Sequence, residues 1–185
     1  MADVILRAQT ADDADILYRI ASETDTWEER GPSRPGTLTR EAWDARNAAR
    51  DADGSSRQQF IIEVDGDAVG EIGLMHIDEL ARHAEVGISL VEHARGKGIG
   101  TAAMAQIIEH AFVRGNLRRL HLEVIASNAR AIRSYEKAGF AIEGRLREHA
   151  WVRGHYEDII LMGLLRDESR GRESISPRPP ARRSR

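Results

Sequence analysis

Apolar and polar residues alternate along the chain with two different periods. Short runs rich in Val, Ile and Leu predict strands, whereas apolar residues spaced three or four apart predict helices. The predicted strands cover residues 4–7, 58–64, 68–77, 84–91, 118–125, 140–151 and 156–165, and the predicted helices cover 11–22, 39–49, 99–114 and the segment after 128. The strand, helix and strand between residues 84 and 125 predict a right-handed parallel crossover and therefore a mixed α/β fold.

Residues 23–38 interrupt this pattern with two prolines and two glycines, so the sequence predicts a loop there. Trp27, Glu28 and Glu29 lie in this loop. An aromatic ring beside two carboxylates would form a wall for a cationic amine, through cation–π and charge attraction. The alternative is a solvated acidic loop in which Trp27 covers the edge of the core, and the sequence leaves both open.

A glycine-rich loop follows the predicted fourth strand and leads directly into a helix. Gly96, Gly98 and Gly100 are expected to let the backbone take positive φ and approach a ligand. The N–H groups of the first helical turn then converge on one place, with the helix dipole behind them. A plain strand-to-helix turn is the alternative, but Arg95 favours a diphosphate site because it adds a fixed cation beside those amides.

Two nucleotide-binding motifs compete for this loop. The Walker motif is excluded because Lys97 is followed by Gly98 and not by Ser or Thr. Residues 98–103 satisfy the Rossmann glycine pattern formally, with Glu123 in place of the ribose-binding acid. A dinucleotide-binding fold, however, opens with its glycine motif and continues through several crossovers, and here only one crossover follows.

Two motifs in order, RxxGxG at residues 95–100 and NxxAxxxYxxxGF at residues 128–140, resemble the GNAT family of acetyl-CoA-dependent N-acetyltransferases. The resemblance extends from about residue 4 to residue 166. It is closest to the branch that holds bacterial spermidine and ribosomal-protein N-terminal acetyltransferases. It implies the GNAT-like acyl-CoA N-acyltransferase fold, a splayed mixed sheet of about seven strands flanked by four helices.

The resemblance also implies where a cofactor binds. In this family the fourth strand splays from the fifth, and the pantetheine arm of acetyl-CoA, the expected co-substrate, lies in the gap. The thioester oxygen would meet a backbone N–H of the fourth strand. The expected cofactor-binding residues are Leu90, Val91, Arg95, Gly96, Gly98, Gly100, Thr101 and Asn128. Asn128 is also a good helix cap, which explains its presence without a cofactor.

Tyr135 and Glu85 are the expected catalytic residues. Tyr135 matches the family tyrosine that protonates the departing CoA thiolate, and a core aromatic is the alternative. A phenol of pKa near 10 gives its proton to a thiolate of pKa near 8.5 at a cost of about 2 kcal/mol, so hydrogen bonding is its expected main contribution. Glu85 is expected to be a general base or an anchor for the substrate ammonium, with a surface carboxylate as the alternative. His76 is a weaker substrate-binding candidate, because alternate strand positions are polar anyway.

Composition limits the class of protein. A chain of 185 residues with 41% hydrophobic content suits one domain, expected over residues 1–166. No apolar run approaches a membrane span and no signal peptide opens the chain, so no membrane association and a cytoplasmic location are expected. The absence of cysteine excludes disulfides, and the seven histidines show no metal-ligand spacing, so no metal is expected.

The net charge of −3 is divided unevenly. Residues 167–185 hold six arginines and three acids, which gives +3 and leaves −6 on the rest of the chain. An acidic body argues against nucleic acid and suits a cationic partner. The tail is rich in Arg, Pro and Ser and is expected to be disordered.

Together these features predict an N-acetyltransferase in which a primary amine attacks acetyl-CoA directly within a ternary complex. No residue is marked as the nucleophile of an acyl-enzyme. The expected acceptor is a small amine, such as a polyamine or an amine-bearing metabolite or antibiotic, or a protein N-terminus. A catalytically inactive CoA-binding sensor or scaffold is the alternative, and a homodimer is left open.

Overall fold

The computed structural model describes residues 3–23, 38–52 and 57–173. Its strands form one mixed sheet in the order β1-β2-β3-β4-β5-β7-β6. The strands are β1 (Val4–Arg7), β2 (Gln58–Val64), β3 (Asp67–Asp78), β4 (His83–Leu90), β5 (Arg119–Ile125), β6 (Ala141–Val152) and β7 (His155–Leu165). The helices in the described residues are α1 (Ala14–Ser22), α2 (Arg40–Ala52), α3 (Ile99–Glu109), α4 (Ala129–Ala138) and α5 (Arg166–Glu173). The predicted mixed α/β fold is confirmed.

The pairing of β4 with β5 is parallel, whereas all the other neighbouring strands pair antiparallel. Three residue pairs connect β4 and β5, and the last of them places Glu85 opposite His121. β4 then continues to Leu90 and β5 to Ile125. The two strands therefore separate beyond Glu85 and leave a wedge between them, called the β4–β5 gap below. This splay is the one that the family resemblance implied.

The sheet has two chemically different faces at β4. A Cβ atom added to Gly100 of α3 would lie 3.5 Å from Leu90 Cδ1 and 3.7 Å from Ile88 Cδ1, so these side chains point toward α3. We call this side the α3 face. Because side chains alternate along a strand, Glu85 and Ser89 lie on the opposite side, called the Glu85 face.

The main hydrophobic core lies on the α3 face. It contains the α3 residues that the helical spacing predicted, including Ile99, Ala103 and Ile107, together with Val86 and Leu120 from the strands. A smaller core joins α1 and α2 to the sheet through Leu17, Trp43 and Ile61. Burial of these apolar side chains fixes both helix layers against the sheet.

The C-terminal end of α3 differs from its predicted form. The helix predicted over residues 99–114 is α-helical only to Glu109, and His110–Arg114 forms a wider π turn closed by a 2.9 Å bond from Gly115 N–H to the His110 carbonyl. The π turn continues the helix without a break. Its wider spacing keeps Ala111 and Phe112 buried, so the predicted apolar stripe is retained.

The expectation of disorder from residue 167 is corrected for residues 167–173, which belong to α5. The Glu168 carboxylate accepts a 3.0 Å bond from the Leu165 N–H, and the Ser169 hydroxyl donates a 2.8 Å bond to the Arg166 carbonyl. Acids in the first turn also favour a helix through its dipole. Residues 174–185 lie outside the described part of the chain. No helix within the described residues is long and apolar enough to cross a membrane.

Candidate active site

The β4–β5 gap is lined by backbone groups of β4. The Val91 N–H donates a 3.0 Å bond to the Val69 carbonyl, so odd-numbered residues at this end of β4 bond to β3. Successive residues of a strand direct their backbone groups to opposite sides, so Ile88 and Leu90 direct theirs into the gap. Of the two positions expected to contact a pantetheine arm, Leu90 therefore suits this contact. Val91 has its N–H bonded elsewhere.

The glycine loop has the backbone conformation of an anion-binding site. Gly96 and Gly98 adopt φ values of 75° and 82°, which side chains other than glycine rarely adopt. Gly98 immediately precedes α3, and a Cβ atom at either glycine would meet nothing within 4 Å. The first N–H groups of α3 have no partner within the helix, and the positive end of the helix dipole lies behind them.

Gly100 differs from the other two glycines. It does not have positive φ, so the expectation of a left-handed backbone at this residue is wrong. The side chains of Leu90 and Ile88 lie close to it, as described above. Its small size therefore serves the packing of α3 against β4.

Arg95 connects the loop to the end of β4. Its Nε donates a 2.9 Å hydrogen bond to the Leu90 carbonyl, one of the backbone groups directed toward the gap. This bond holds the guanidinium at the position where the gap meets the glycine loop. A cation fixed there is suited to a diphosphate bound by the α3 N-terminus.

The side chains of Thr101 and Asn128 both make hydrogen bonds at the ends of helices. Thr101 Oγ1 lies 3.0 Å from Ser134 Oγ, which joins the first turn of α3 to α4. Asn128 Oδ1 accepts a 3.1 Å bond from the Ala131 N–H and caps α4. The cap interpretation of Asn128 is therefore present in the structure, and its cofactor contact stays a prediction. Ser134 was not among the predicted residues, because its partner lies on another helix.

Tyr135 lies on α4, on the α3 face of the sheet. Its side chain packs against the main core, with its ring centroid 6.2 Å from that of Phe140 in an edge-on arrangement. Burial raises the pKa of Tyr135 to about 12. The phenol is therefore protonated throughout the neutral range and is a hydrogen-bond donor. Proton transfer to a thiolate of pKa near 8.5 would then cost about 5 kcal/mol, more than the sequence alone indicated.

Glu85 and His76 lie together on the Glu85 face. His76 Nδ1 is 2.9 Å from Glu85 Oε2. The His76 side chain is 79% exposed, whereas that of Glu85 is 27% exposed. His76 has a φ of 49°, at a register shift between Met75 and Asp78 that interrupts the alternation of β3. The two predicted residues therefore form one cluster.

His121 joins this cluster and was not predicted. It is paired with Glu85 across the last β4–β5 contact, and its ring centroid lies 5.5 Å from that of His83. Burial lowers the pKa of His121, while the charge of Glu85 acts in the opposite direction. The sequence places His121 on a polar strand face but does not give its register against β4, and that register is what brings it to Glu85.

Trp27, Glu28 and Glu29 lie outside the described residues, so their predicted contact with an amine stays a prediction. Within the described ranges, no group of three or more His, Cys, Asp or Glu side chains is arranged to hold a metal ion.

The parallel pair β4 and β5 separates beyond Glu85, and a glycine loop that leads into the N-terminus of α3 follows β4. Residues 3–141 match the family described as acetyltransferase (GNAT) domain. The chain belongs to the GNAT acetyltransferase family. The family resemblance carried by the two sequence motifs is thus confirmed.

Relatives in two groups share part of the chain. Spermidine N(1)-acetyltransferase of Escherichia coli (strain K12) is 33% identical over 113 residues, which are 61% of this chain and 61% of that protein. Ribosomal-protein-serine acetyltransferase of the same organism is 28% identical over 110 residues, 60% of this chain and 62% of that protein. The chain thus matches less than two thirds of the length of either relative.

Similarity of fold extends further than similarity of sequence. The crystal structure of spermidine N-acetyltransferase from Vibrio cholerae in complex with CoA and spermine has a TM-score of 0.80 to this chain, at 22% sequence identity. The match covers 90% of this chain and 97% of that chain. It supports the same architecture from β1 to β7.

Proposed function

We propose that the protein transfers an acetyl group from acetyl-CoA to a primary amine. The observation that carries this proposal is the β4–β5 gap, which leads from the glycine loop to the last strand pair at Glu85 and His121. The five residue steps from Leu90 to Glu85 span about 17 Å of strand, a suitable length for an extended pantetheine arm. The thioester would then lie near the closed end of the gap.

The cofactor would be held by separate groups along its length. The α3 N-terminus and Arg95 would bind the diphosphate, and the backbone of Leu90 would bond to the pantetheine amides. A backbone N–H of β4 nearer the closed end is suited to the thioester oxygen. There it would stabilise the negative charge that develops as the amine attacks.

The amine and the leaving sulfur would be served from opposite faces of the sheet. Glu85, with His76, would meet the amine on the Glu85 face, whereas Tyr135 would donate a hydrogen bond to the sulfur from the α3 face. Direct attack within a ternary complex needs both groups in place together, because the tetrahedral intermediate carries the amine nitrogen and the sulfur at the same time.

A cationic small amine is the acceptor class that the site favours. Glu71 of β3 is paired with Ser89 of β4 and therefore lies on the same face as Glu85. The Glu85 face thus carries one carboxylate beside Ser89 and another at Glu85. An acidic face attracts an ammonium group. The names of the relatives add spermidine and a ribosomal protein as the first two acceptors to test. Amine-bearing metabolites and antibiotics come next.

An assay of CoA thiol release with a panel of amines tests the proposal. Spermidine, a simple monoamine, an aminoglycoside and a peptide with a free N-terminus represent the acceptor classes. The proposal predicts thiol release that depends on one of these classes, with the acetylated amine identified by mass spectrometry. CoA binding by calorimetry without turnover for any acceptor would instead support a CoA-binding sensor or scaffold.

A further inference from the structure

His121 occupies a position in the candidate site that the proposed function leaves without a role. It is the β5 member of the last residue pair before the strands separate, so its side chain lies beside that of Glu85 on the same face. The proposed function places the reacting thioester near this end of the gap. The inference drawn here about His121 rests on that proposed function.

The surroundings of His121 supply charges of both signs. Glu85 and His83 lie beside it on β4, Arg119 and Glu123 are on its own strand, and Glu143 approaches from β6. Three of these groups are carboxylates, yet burial has the largest effect and keeps the imidazole neutral near pH 7. A neutral imidazole has a nitrogen lone pair that accepts a proton.

Glu85 is less suited to accept the proton. Its Oε2 is already within 2.9 Å of His76 Nδ1, so part of the carboxylate is engaged by another side chain. Its negative charge instead suits it to hold an ammonium group. The pair Glu85 and His121 therefore offers an anchor and a proton acceptor next to each other.

We propose that His121 is the general base of the acetyl transfer and that Glu85 anchors the amine. The ammonium group held by Glu85 first gives one proton to the His121 imidazole, which passes it to water. The neutral amine nitrogen then forms a bond to the thioester carbon, and the carbon–sulfur bond breaks as the tetrahedral intermediate collapses. The second proton of the attacking nitrogen also leaves through His121 to water. The sulfur leaves as thiolate, stabilised by the Tyr135 hydroxyl, and takes its proton from solvent.

This assignment has a definite pH dependence. The imidazole accepts a proton only when neutral, and burial holds the pKa of His121 below 6.5. Turnover should therefore be retained at pH 7 and fall as the pH drops through that lower value. Replacing the base should remove this acidic limb as well as most of the rate.

The test compares kcat across pH 5 to 9 for the wild type and His121→Asn, with the best acceptor from the amine panel. We expect kcat to fall about 100- to 10,000-fold in the variant, with loss of the acidic limb. CoA affinity by calorimetry should be unchanged, which shows that the variant is folded. A variant that keeps kcat within about threefold and retains the acidic limb would overturn the proposal.

His110→Gln is the matched control. His110 also has its pKa lowered by burial, but it packs against Phe60 on the α3 face, away from the gap. This variant should keep both kcat and the acidic limb. Loss of the limb in His110→Gln would show that the limb reports His110 and not His121, and would overturn the proposal.

A second measurement does not depend on the folding of a variant. Ring NMR of His121 in the wild type with CoA bound should give a pKa that matches the kinetic limb, and a mismatch would also overturn the proposal. Turnover by the wild type in the same assay separates failure of this inference from failure of the proposed function, since no wild-type turnover would overturn both.

Discussion

His76 and Glu85 are neighbours in space although they lie on different strands, with Nδ1 of the histidine 2.9 Å from Oε2 of the carboxylate. The contact depends on the register shift of β3 after Met75. It joins a mostly exposed ring to a partly buried carboxylate at the closed end of the β4–β5 gap. Any amine that reaches Glu85 must therefore share or displace His76.

Glu85→Gln removes the negative charge and keeps the shape of the side chain. If Glu85 anchors the amine, KM for the amine should rise about 10-fold, the equivalent of about 1.4 kcal/mol, while kcat changes little. Steady-state kinetics at saturating acetyl-CoA measure both constants. His76→Gln should change KM by less than about threefold, because His76 is mostly exposed.

The opposite pattern for Glu85→Gln would assign the proton transfer to Glu85. A large loss of kcat with a displaced acidic limb, at unchanged KM, would identify the carboxylate as the base and remove His121 from that role.

Tyr135→Phe removes the hydroxyl and keeps the ring that packs near Phe140. Folding and CoA affinity should hold, while kcat falls about 10- to 1000-fold because the leaving sulfur loses its hydrogen-bond donor. The raised pKa of about 12 means that Tyr135 stays protonated up to about pH 11. The wild type should therefore show no alkaline loss of kcat from this group, and full kcat in the variant would leave Tyr135 only a packing role.

Gly98→Glu should abolish CoA binding, because a carboxylate at the α3 N-terminus would occupy the space of the diphosphate and repel it. Gly66→Glu is its matched control. Gly66 in the β2–β3 turn also has positive φ, at 91°, and open space around it. Backbone strain should lower the free energy of unfolding of both variants by about 1–2 kcal/mol. Only Gly98→Glu should lose affinity for CoA in calorimetry. Equal affinities would contradict the assignment of the loop.

Asp13 and Arg7 give a prediction about acid stability. The buried Asp13 carboxylate accepts bonds of 2.8 Å and 2.7 Å from Arg7, and these hold its pKa well below the usual range. A depressed pKa contributes stability that is present above the unfolded-state value near 3.9 and is lost as the pH falls below it.

Asp13→Asn should therefore lower the free energy of unfolding at pH 7 by about 2 kcal/mol, allowing for the partial exposure of Arg7. The difference from the wild type should narrow as the pH falls below about 4. Urea unfolding at several pH values measures this difference, and one that does not vary with pH would contradict the role of the ion pair.

Local sequence patterns predicted most of the elements and the two motifs of the site. Strand periods placed β1 and β2 at their observed bounds, and the glycine loop was predicted to open α3. These features depend on residues close together in the chain. Apolar spacing and capping residues encode them directly.

Features that depend on register were not predictable in the same way. The pairing of Glu85 with His121, and the bond from the Val91 N–H to the Val69 carbonyl, follow from how strands align across the sheet. A shift of one residue would reverse both, and a single sequence does not specify that alignment. Helix α5 was missed because its composition favours disorder, whereas its first-turn contacts with Leu165 and Arg166 favour a helix.

We propose that acetyl-CoA and the amine are bound in one complex when the acetyl group is transferred. Initial rates measured over a matrix of acetyl-CoA and amine concentrations check this mechanism, with thiol release as the readout. Double-reciprocal lines should intersect, because both substrates must be bound before CoA leaves. Parallel lines, the pattern of a covalent acetyl-enzyme, would contradict it.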